Sequence, residues 1–218
     1  MKTLFFEARR KISGIDFSPL GAIKYKRIGL LASVQYANTI NSVKEALIKL
    51  GKEVFLSKAL KYEGQILGCN VAAALAVKDK VDAFLIIGSG RFHAYNVASL
   101  GKPVFMWQPG SNVFEFPKEE MLKINARKRA NLLKFLSADS IGIIVSTKPG
   151  QCRLAEAMEL KKKLEKKGKK VFVFISDMIS KNDLENFKVD AWINTACPQL
   201  ILDMPNVLNI DAALEVLK

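Results

Sequence analysis

The chain has 218 residues, of which 50% are hydrophobic and 25% charged, and its formal net charge at pH 7 is +13. This composition is typical of a folded globular protein and excludes a disordered one, and no apolar run reaches the length of about 18 residues expected of a transmembrane helix. The apolar stretch near Met1 is too short for a signal peptide, and an odd number of cysteines argues against a disulfide framework. We therefore expect a cytoplasmic protein without a membrane anchor.

The first 24 residues form an N-terminal extension, and a strand–loop–helix–strand pattern then occurs twice. The first copy begins with a strand and its polar loop at 27–35 and ends with a strand at 54–56. The second begins with a strand and loop at 140–148 and ends with a strand at 171–175. A Gly-Lys helix end precedes the closing strand in both copies. A third strand follows in each half, at 81–88 and 189–196. Apolar strands that alternate with amphipathic helices predict an α/β fold of two repeated Rossmann-like αβα units with parallel sheets, at 25–125 and 126–218.

The three cysteines lie in three different loops of this predicted fold. Cys69 ends the run Gly64–Cys69, Cys152 lies in a glycine-containing loop before a helix, and Cys197 follows a buried strand and precedes Pro198. Thiols at the carboxyl ends of strands are well placed to hold a metal or cluster, although each could also be an ordinary core or loop cysteine. Cys197 aligns with Ser89 of the first repeat, and Cys69 and Cys152 have no cysteine counterpart either. This difference favours a functional role.

Two loops are candidates for ligand binding. The loop at 146–153 precedes a helix, and its amides with Lys148 or Arg153 would suit a carboxylate or phosphate, although an ordinary βα loop is the alternative. The loop from Gly88 to His93, which contains Ser89 and Gly90, follows a strand and is expected to face the same crevice.

Known motifs do not explain these loops. A Walker motif, a Cys-x-x-Cys zinc pair, a Gly-x-Ser-x-Gly elbow and a complete dinucleotide fingerprint are all missing. We further expect Asn194 and Thr195 to donate hydrogen bonds to a bound group, and Asp203 to be the acid nearest the crevice.

The basic net charge of the chain has two possible explanations. Much of the excess lies in the lysine-rich run 161–170, which is a predicted helix end where lysines complement the helix dipole. A solvated surface and an anionic partner are both consistent with it. Direct nucleic-acid binding is not expected, because no aromatic-interleaved platform or nucleic-acid motif accompanies the charge.

At these same residues the sequence resembles the diphthamide synthase family, the unusual radical S-adenosylmethionine enzymes that act on elongation factor 2. The similar segments occur in the family's order over nearly the whole chain: Ser33–Gln35, Tyr62–Cys69, Asp82–His93, Ser146–Gln151 and Asp190–Pro198.

The resemblance implies a [4Fe–4S] cluster held by one cysteine from each of three related domains. It implies cleavage of S-adenosylmethionine to a 3-amino-3-carboxypropyl radical, which is added to a histidine of elongation factor 2. Cys69 matches the second-domain ligand and Cys197 the third-domain ligand. Lys148, Pro149, Gly150 and Gln151 would lie near the methionyl group of S-adenosylmethionine, and Gly88, Ser89, Gly90 and His93 would line the central crevice. No catalytic residue is assigned.

The pattern of the family's first domain, with its own cysteine, is absent. The third thiolate would come from Cys152 or from another chain, so we expect a homo-oligomer or a partner that carries the missing domain. The alternative is a non-catalytic partner or ligand-binding module of the same pathway that has lost the full cluster site.

Overall fold

The computed structural model describes residues 4–89, 91–202, 204 and 206–217, so the predicted site residues Gly90 and Asp203 lie outside the described residues. The chain forms two compact units, Met1–Met121 and Leu122–Lys218. The boundary predicted after residue 125 falls inside a long helix, Lys118–Ser137.

Each unit contains a sheet whose strands are mostly parallel. The strands are β1 (Arg27–Ala32), β2 (Glu53–Phe55), β3 (Ala83–Ile87), β4 (Val104–Trp107), β5 (Phe114–Glu115), β6 (Ser140–Ser146), β7 (Lys170–Ser176), β8 (Ala191–Asn194) and β9 (Val207–Asn209). Among the described residues, the sheet of the first unit has the order β2-β1-β3-β4-β5 and that of the second has the order β7-β6-β8-β9. The pairing of β5 with β4 is antiparallel, and the other strand pairs are parallel. The predicted α/β fold of two Rossmann-like units is confirmed.

Helices connect the strands, as parallel neighbours require. In the part of the chain that the structure describes, no helix combines the length and the apolar character needed to cross a membrane. The α-helices are α1 (Ile40–Lys49), α2 (Ala72–Leu75), α3 (Ala94–Ala98), α4 (Lys118–Ser137), α5 (Leu154–Lys166), α6 (Lys181–Glu185) and α7 (Ile210–Val216). Short 3₁₀ helices lie at Ser18–Ala22, Val34–Thr39, Lys78–Lys80, Arg91–His93 and Pro198–Leu202.

The predicted N-terminal extension contributes to the core of the first unit. Leu20 and Ile23 are fully buried in the cluster built on β1, β3 and α1, and Ile12, Ile15 and Phe17 pack against it. In the second unit, Ala191 and Ile193 of β8 join one hydrophobic cluster while Trp192 between them joins another. Since successive side chains of a strand point to opposite faces, both faces of this sheet are covered, which explains its continuous apolar strands.

The internal repeat extends to individual contacts. In β1, Gly29 lies opposite Phe84 of β3, and a β-carbon at Gly29 would be 2.6 Å from the Phe84 ring. In β6, Gly142 lies opposite Trp192 of β8, and a β-carbon there would be 2.3 Å from that ring. An aromatic ring of the third strand therefore covers a glycine of the central strand in both units.

A carboxylate repeats in the same way at the start of each third strand. Asp82 accepts hydrogen bonds from the backbone N–H and the guanidinium of Arg27, and Asp190 accepts from the backbone N–H and hydroxyl of Ser140. These hydrogen bonds lower the pKa of both carboxyl groups. The repeated Val-Asp-Ala sequence thus fixes the beginning of the central strand.

Candidate functional site

Cys69 lies at the tip of a tight turn at the carboxyl edge of the first sheet. The backbone N–H of Leu67 donates to the carbonyl of Asn70 (3.0 Å) and that of Asn70 donates to Leu67 (3.2 Å), which leaves Gly68 and Cys69 as the two residues of the turn. The side chain of Cys69 is free and exposed. The turn therefore presents the thiol outward, and Cys69 is not the buried core cysteine that was the structural alternative.

The chain reaches this turn by running alongside the end of β1. Gln65 pairs with Ala32, the last residue of that strand, and the backbone of Ala32 bonds with Gly64 and Ile66 (2.9 and 3.0 Å). A β-carbon at Gly64 would lie 2.9 Å from the carbonyl oxygen of Leu30, so only glycine fits this close approach. The glycine that precedes Cys69 by five positions thus fixes the path of the backbone to the turn.

The predicted ligand loop that follows β3 packs against the Cys69 turn. The ring of Phe92 lies where a β-carbon of Gly68 would be, 1.9 Å from that position, and the Asn96 side chain donates to the Gly68 carbonyl (2.6 Å). His93 stacks edge-on against Phe92, with the ring centroids 5.3 Å apart. The structure therefore brings the loop at 88–93 and Cys69 together within the first unit, as far as the loop is described.

His93 is the only histidine of the chain. Desolvation by burial lowers its pKa, so the imidazole is neutral near neutral pH. Its Nδ1 atom is buried without a hydrogen-bond partner among the described residues. The ring can thus serve as a neutral donor or acceptor to a group bound beside the Cys69 turn.

An ionic cluster in the N-terminal segment was not predicted from the sequence. Glu7 accepts hydrogen bonds from Lys61, Arg9 and Tyr62 (all 2.8 Å), and these contacts, led by that of Lys61, lower the pKa of Glu7 to about 2. Arg9 also donates to Asn38 (2.8 Å) and stacks on the Tyr62 ring. The cluster fastens the N-terminal segment to the start of the Tyr62–Cys69 segment. Only long-range contacts reveal it, because charges near an N-terminus carry no sequence signal of their own.

An open cleft of about 360 Å³ lies between this segment and the ends of β1 and β3. Its lining includes Arg9, Arg10, Tyr36 and Ser89. Arg10 donates to the Tyr36 hydroxyl (2.9 Å), and Tyr36 is 1% exposed. The predicted site residue Ser89 therefore borders a cleft with basic side chains at the carboxyl edge of the sheet.

The predicted anion loop of the second unit is a turn of defined type. The backbone N–H of Gln151 donates to the carbonyl of Lys148 (3.0 Å), with Pro149 and Gly150 between them. Gly150 has a φ of +77°, the conformation that a type II turn requires after proline. The hydroxyl of Ser146, which is 1% exposed, accepts from the Lys148 N–H (3.1 Å) and anchors the turn to β6.

Only one of the two cations proposed for this loop is available. The guanidinium of Arg153 donates to Glu156 (2.8 Å) and to Asp211 (3.2 Å), and the hydrogen bond to Glu156 is the main cause of its raised pKa. Lys148 is exposed. Lys148 is therefore the better candidate for the counter-charge. Cys152, between the turn and α5, is free and exposed.

Cys197 is held by its backbone just beyond the end of β8. The Asn194 side chain, 1% exposed, donates to the Cys197 carbonyl (2.8 Å) and to Asn209 (2.8 Å). Thr195 donates its hydroxyl to the Ile144 carbonyl (2.8 Å). The expectation that the Asn194 and Thr195 side chains donate to a bound group is wrong, because both donate to the protein and so fix the Cys197 loop. The Cys197 side chain is free and half-buried.

These observations leave one accessible thiol in the first unit and two in the second. Thiolates are the ligands of iron–sulfur clusters, so the donor type suits such a group. Across the described ranges, no group of three or more His, Cys, Asp and Glu side chains is arranged to hold a metal ion. The assignment of Cys69, Cys197 and Cys152 as ligands therefore stays a prediction.

Comparison with known proteins identifies the family. Residues 13–207 match the sequence model of the family described as "Putative diphthamide synthesis protein". The chain belongs to the diphthamide synthesis family. The expected resemblance to diphthamide synthases is thereby confirmed.

Curated members of the family match most of this chain. The 2-(3-amino-3-carboxypropyl)histidine synthase of Pyrococcus horikoshii is 32% identical over 210 residues, which cover 92% of this chain and 60% of that protein. The enzyme of the same name from Methanocaldococcus jannaschii is 31% identical and is aligned over 70% of this chain and 47% of its own length. The chain thus spans about half to three-fifths of these relatives.

A solved structure of a family member also matches the fold of this chain. The crystal structure of Dph2 from Pyrococcus horikoshii with a 4Fe-4S cluster matches with a TM-score of 0.73 and 30% sequence identity, over 88% of this chain and 57% of that one. The family relationship thus holds for both the sequence and the fold.

Proposed function

We propose that the chain is a 3-amino-3-carboxypropyl transferase of diphthamide biosynthesis that uses a [4Fe–4S] cluster and S-adenosylmethionine to modify a histidine of elongation factor 2. The observation that carries the proposal is the exposed Cys69 thiol on its tight turn, backed by the loop of Phe92 and His93. The relatives that share the fold are named as synthases of this modified histidine, and one of them is described with the cluster. Such an acceptor protein makes the cytoplasm the expected compartment.

The ligand assignment follows the accessible thiols. Cys69 and Cys197 would each supply a thiolate, and Cys152 or a thiol from another chain would supply the third. When bound, the cluster would supply the electron that cleaves S-adenosylmethionine. The protein's own contribution at Cys197 is rigidity, since Asn194 fixes the carbonyl of that residue.

The two ligand loops would bind the cosubstrate. The exposed ammonium of Lys148, on the turn that Pro149 and Gly150 form, suits the carboxylate of the methionyl group. Gly88, Ser89 and His93 of the first unit, with Gly90 between them, would also contribute to binding of the cosubstrate. The imidazole of His93 offers a neutral hydrogen-bonding atom there.

Anaerobic reconstitution with iron and sulfide tests the cluster. We expect the wild type to bind both and to gain the broad visible absorption of an iron–sulfur protein. Cys69→Ser and Cys197→Ser are expected to lose most of the bound iron while keeping the melting temperature of the metal-free protein. Cys152→Ser separates the two sources of the third thiolate, because loss of iron assigns it to Cys152 and retention assigns it to another chain. A wild type that stays colourless and free of iron contradicts the proposal.

A transfer assay tests the reaction. Reconstituted and reduced protein is incubated with elongation factor 2 and S-adenosylmethionine labelled in its aminocarboxypropyl group. We expect label on a histidine of the factor, and weaker binding of S-adenosylmethionine by Lys148→Ala than by the control Lys162→Ala, which changes an exposed lysine of α5. Cluster-loaded protein that transfers no label would point to the non-catalytic alternative.

A further inference from the structure

The outward face of α4 exposes leucine side chains at a regular spacing. Leu122, Leu133 and Leu136 are 69%, 68% and 50% exposed. With the exposed residues Ala126 and Arg129 they recur at intervals of three and four positions, which places all five on one side of an α-helix. These five residues form the outer stripe of α4.

The opposite side of α4 fastens the helix to the second unit. Asn131 and Phe135 are buried, and Phe135 belongs to the hydrophobic cluster of β6 and β8. The Asn131 side chain donates to the carbonyl of Val207 (2.7 Å). Because this inner side holds the helix in place, the outer stripe has a fixed orientation, and its leucines contribute little to the core of the unit.

The charge of α4 has one sign along most of its length. From Met121 to Ser137 the helix contains five basic residues and no acidic one. Helical spacing places Lys123, Arg127 and Lys134 along one border of the outer stripe. Arg129 lies within the stripe, and in the described part of the chain neither Arg129 nor Lys123 makes a hydrogen bond or an ion pair. The exposed face therefore combines an apolar seam with cations that lack counter-charges.

We propose that the outer stripe of α4 pairs with an acidic amphipathic helix of a partner protein. Apolar side chains of that helix would cover the three leucines, and its carboxylates would face Arg129 and the basic border. A narrow seam with alternating intervals of three and four residues is the pattern by which two helices pack side by side. The planar guanidinium of Arg129 suits a carboxylate, which it can bind through two parallel hydrogen bonds.

Other partners fit this face less well. A second copy of α4 would bring like charges together, which opposes pairing. A helix that lies on a membrane has a broad apolar face, whereas this stripe is narrow and Arg129 interrupts it. A nucleic acid would pair its phosphates with the cations but would leave the leucines exposed to water. An acidic helix satisfies both the apolar and the charged residues.

A designed peptide tests the pairing. The probe is a fluorescein-labelled helical peptide with leucine at heptad positions a and d and glutamate beside them, and its control has lysine for every glutamate. In anisotropy titrations with the metal-free protein, we expect the glutamate peptide to bind and the lysine peptide not to bind. Leu133→Gln should weaken binding about tenfold, because one leucine is no longer buried at the contact. Leu75→Gln, which changes a leucine of α2 that is 58% exposed, is the matched control and should leave the affinity unchanged.

A charge reversal tests the basic part of the same face. Arg129→Glu should weaken binding of the glutamate peptide at least about tenfold, because like charges then meet in the seam. Lys162→Glu makes the same kind of change at an exposed lysine of α5 and should have a much smaller effect. All four variants change exposed side chains, so circular dichroism should show unchanged melting temperatures.

Several results would overturn the inference. Equal effects of Leu133→Gln and Leu75→Gln, or a glutamate peptide that binds no better than the lysine peptide, would show that the outer stripe is not the contact. Binding to vesicles of phosphatidylcholine and phosphatidylserine that Leu133→Gln abolishes would assign the stripe to a membrane. Self-association that the same variant abolishes would assign it to a second copy. Because the protein is free of metal and cosubstrate, these results do not depend on the proposed cluster chemistry.

Discussion

Replacing Gly142 by alanine tests whether the contact of this glycine with the Trp192 ring stabilises the sheet of the second unit. A β-carbon at Gly142 would lie 2.3 Å from the Trp192 ring, far inside van der Waals contact. Trp192 is 5% exposed and its ring packs against Phe174 and Phe187, with ring centroids 4.8 and 6.3 Å away. To accept the methyl group, β6 and β8 must separate or the ring must leave its rotamer.

The expected cost is that of an overpacked core. Insertion of one methyl group into a well-packed interior lowers the free energy of unfolding by about 1–3 kcal/mol. For a chain of this length, each kcal/mol lowers the melting temperature by about 2–4 °C. Gly21→Ala is the matched control, because a β-carbon at Gly21 would have no atom within 4 Å and Gly21 has no positive φ. We expect it to change stability by less than about 0.5 kcal/mol.

Urea unfolding followed by far-UV circular dichroism measures these differences, because the Trp192→Leu background keeps only Trp107, which lies in the first unit. The double variant Gly142→Ala with Trp192→Leu provides the rescue, because a smaller side chain at 192 leaves room for the new methyl group. We expect Gly142→Ala to lower the free energy of unfolding less in the Trp192→Leu background than in the wild type. The overpacking explanation would be refuted if Gly142→Ala lowered the free energy of unfolding equally in both backgrounds, or if the Gly142→Ala variant were as stable as Gly21→Ala.

Three further predictions follow from individual contacts. Glu7 has a folded pKa of about 2 against an ordinary value of 4.5, so its stabilisation is present above pH 4.5 and lost as the pH falls toward 2. The melting temperatures of wild type and Glu7→Gln should therefore converge over that range, and a constant gap would contradict the assignment. Asn194→Ala should lower the free energy of unfolding by about 1–3 kcal/mol, because the Cys197 carbonyl and Asn209 lose a buried partner. The exposed Asn186→Ala, its control in the same urea titration, should have little effect. Gly150→Ala should lower the free energy of unfolding by about 1–2 kcal/mol in the same titration, because a residue with a β-carbon is strained at a φ of +77° although there is space for the methyl group. An unchanged stability would exclude the type II turn.

The repeat made much of the fold predictable. Period and length located β1, β3, β6, β7 and β8, because long apolar strands between amphipathic helices have few alternative structures. A polar loop was expected after the first strand, whereas the structure forms a 3₁₀ helix there, at Val34–Thr39, after β1 ends at Ala32. The cause is tertiary, because the N–H of Ser33 donates to Ile87 of β3 and the carbonyl of Ser33 accepts from Tyr36.

The candidate site was predictable only in part. A glycine-containing loop before α5 was predicted at Pro149 and Gly150, and the structure contains it as a turn, whereas the tight turn at Cys69 was not predicted. The contact of Phe92 with Gly68 and the anchoring of Glu7 by Lys61 join residues far apart in the chain. Such contacts depend on packing, which no local pattern encodes.

The exposure of Cys69 and Cys152 has a practical consequence for handling the protein. Accessible thiols oxidise readily in air and can join two molecules through a disulfide. A covalent dimer of that kind would be indistinguishable by size from a non-covalent homodimer, and it would occupy sulfurs needed for metal loading. Purification under a reductant and without oxygen is therefore part of any meaningful measurement of oligomeric state or iron content.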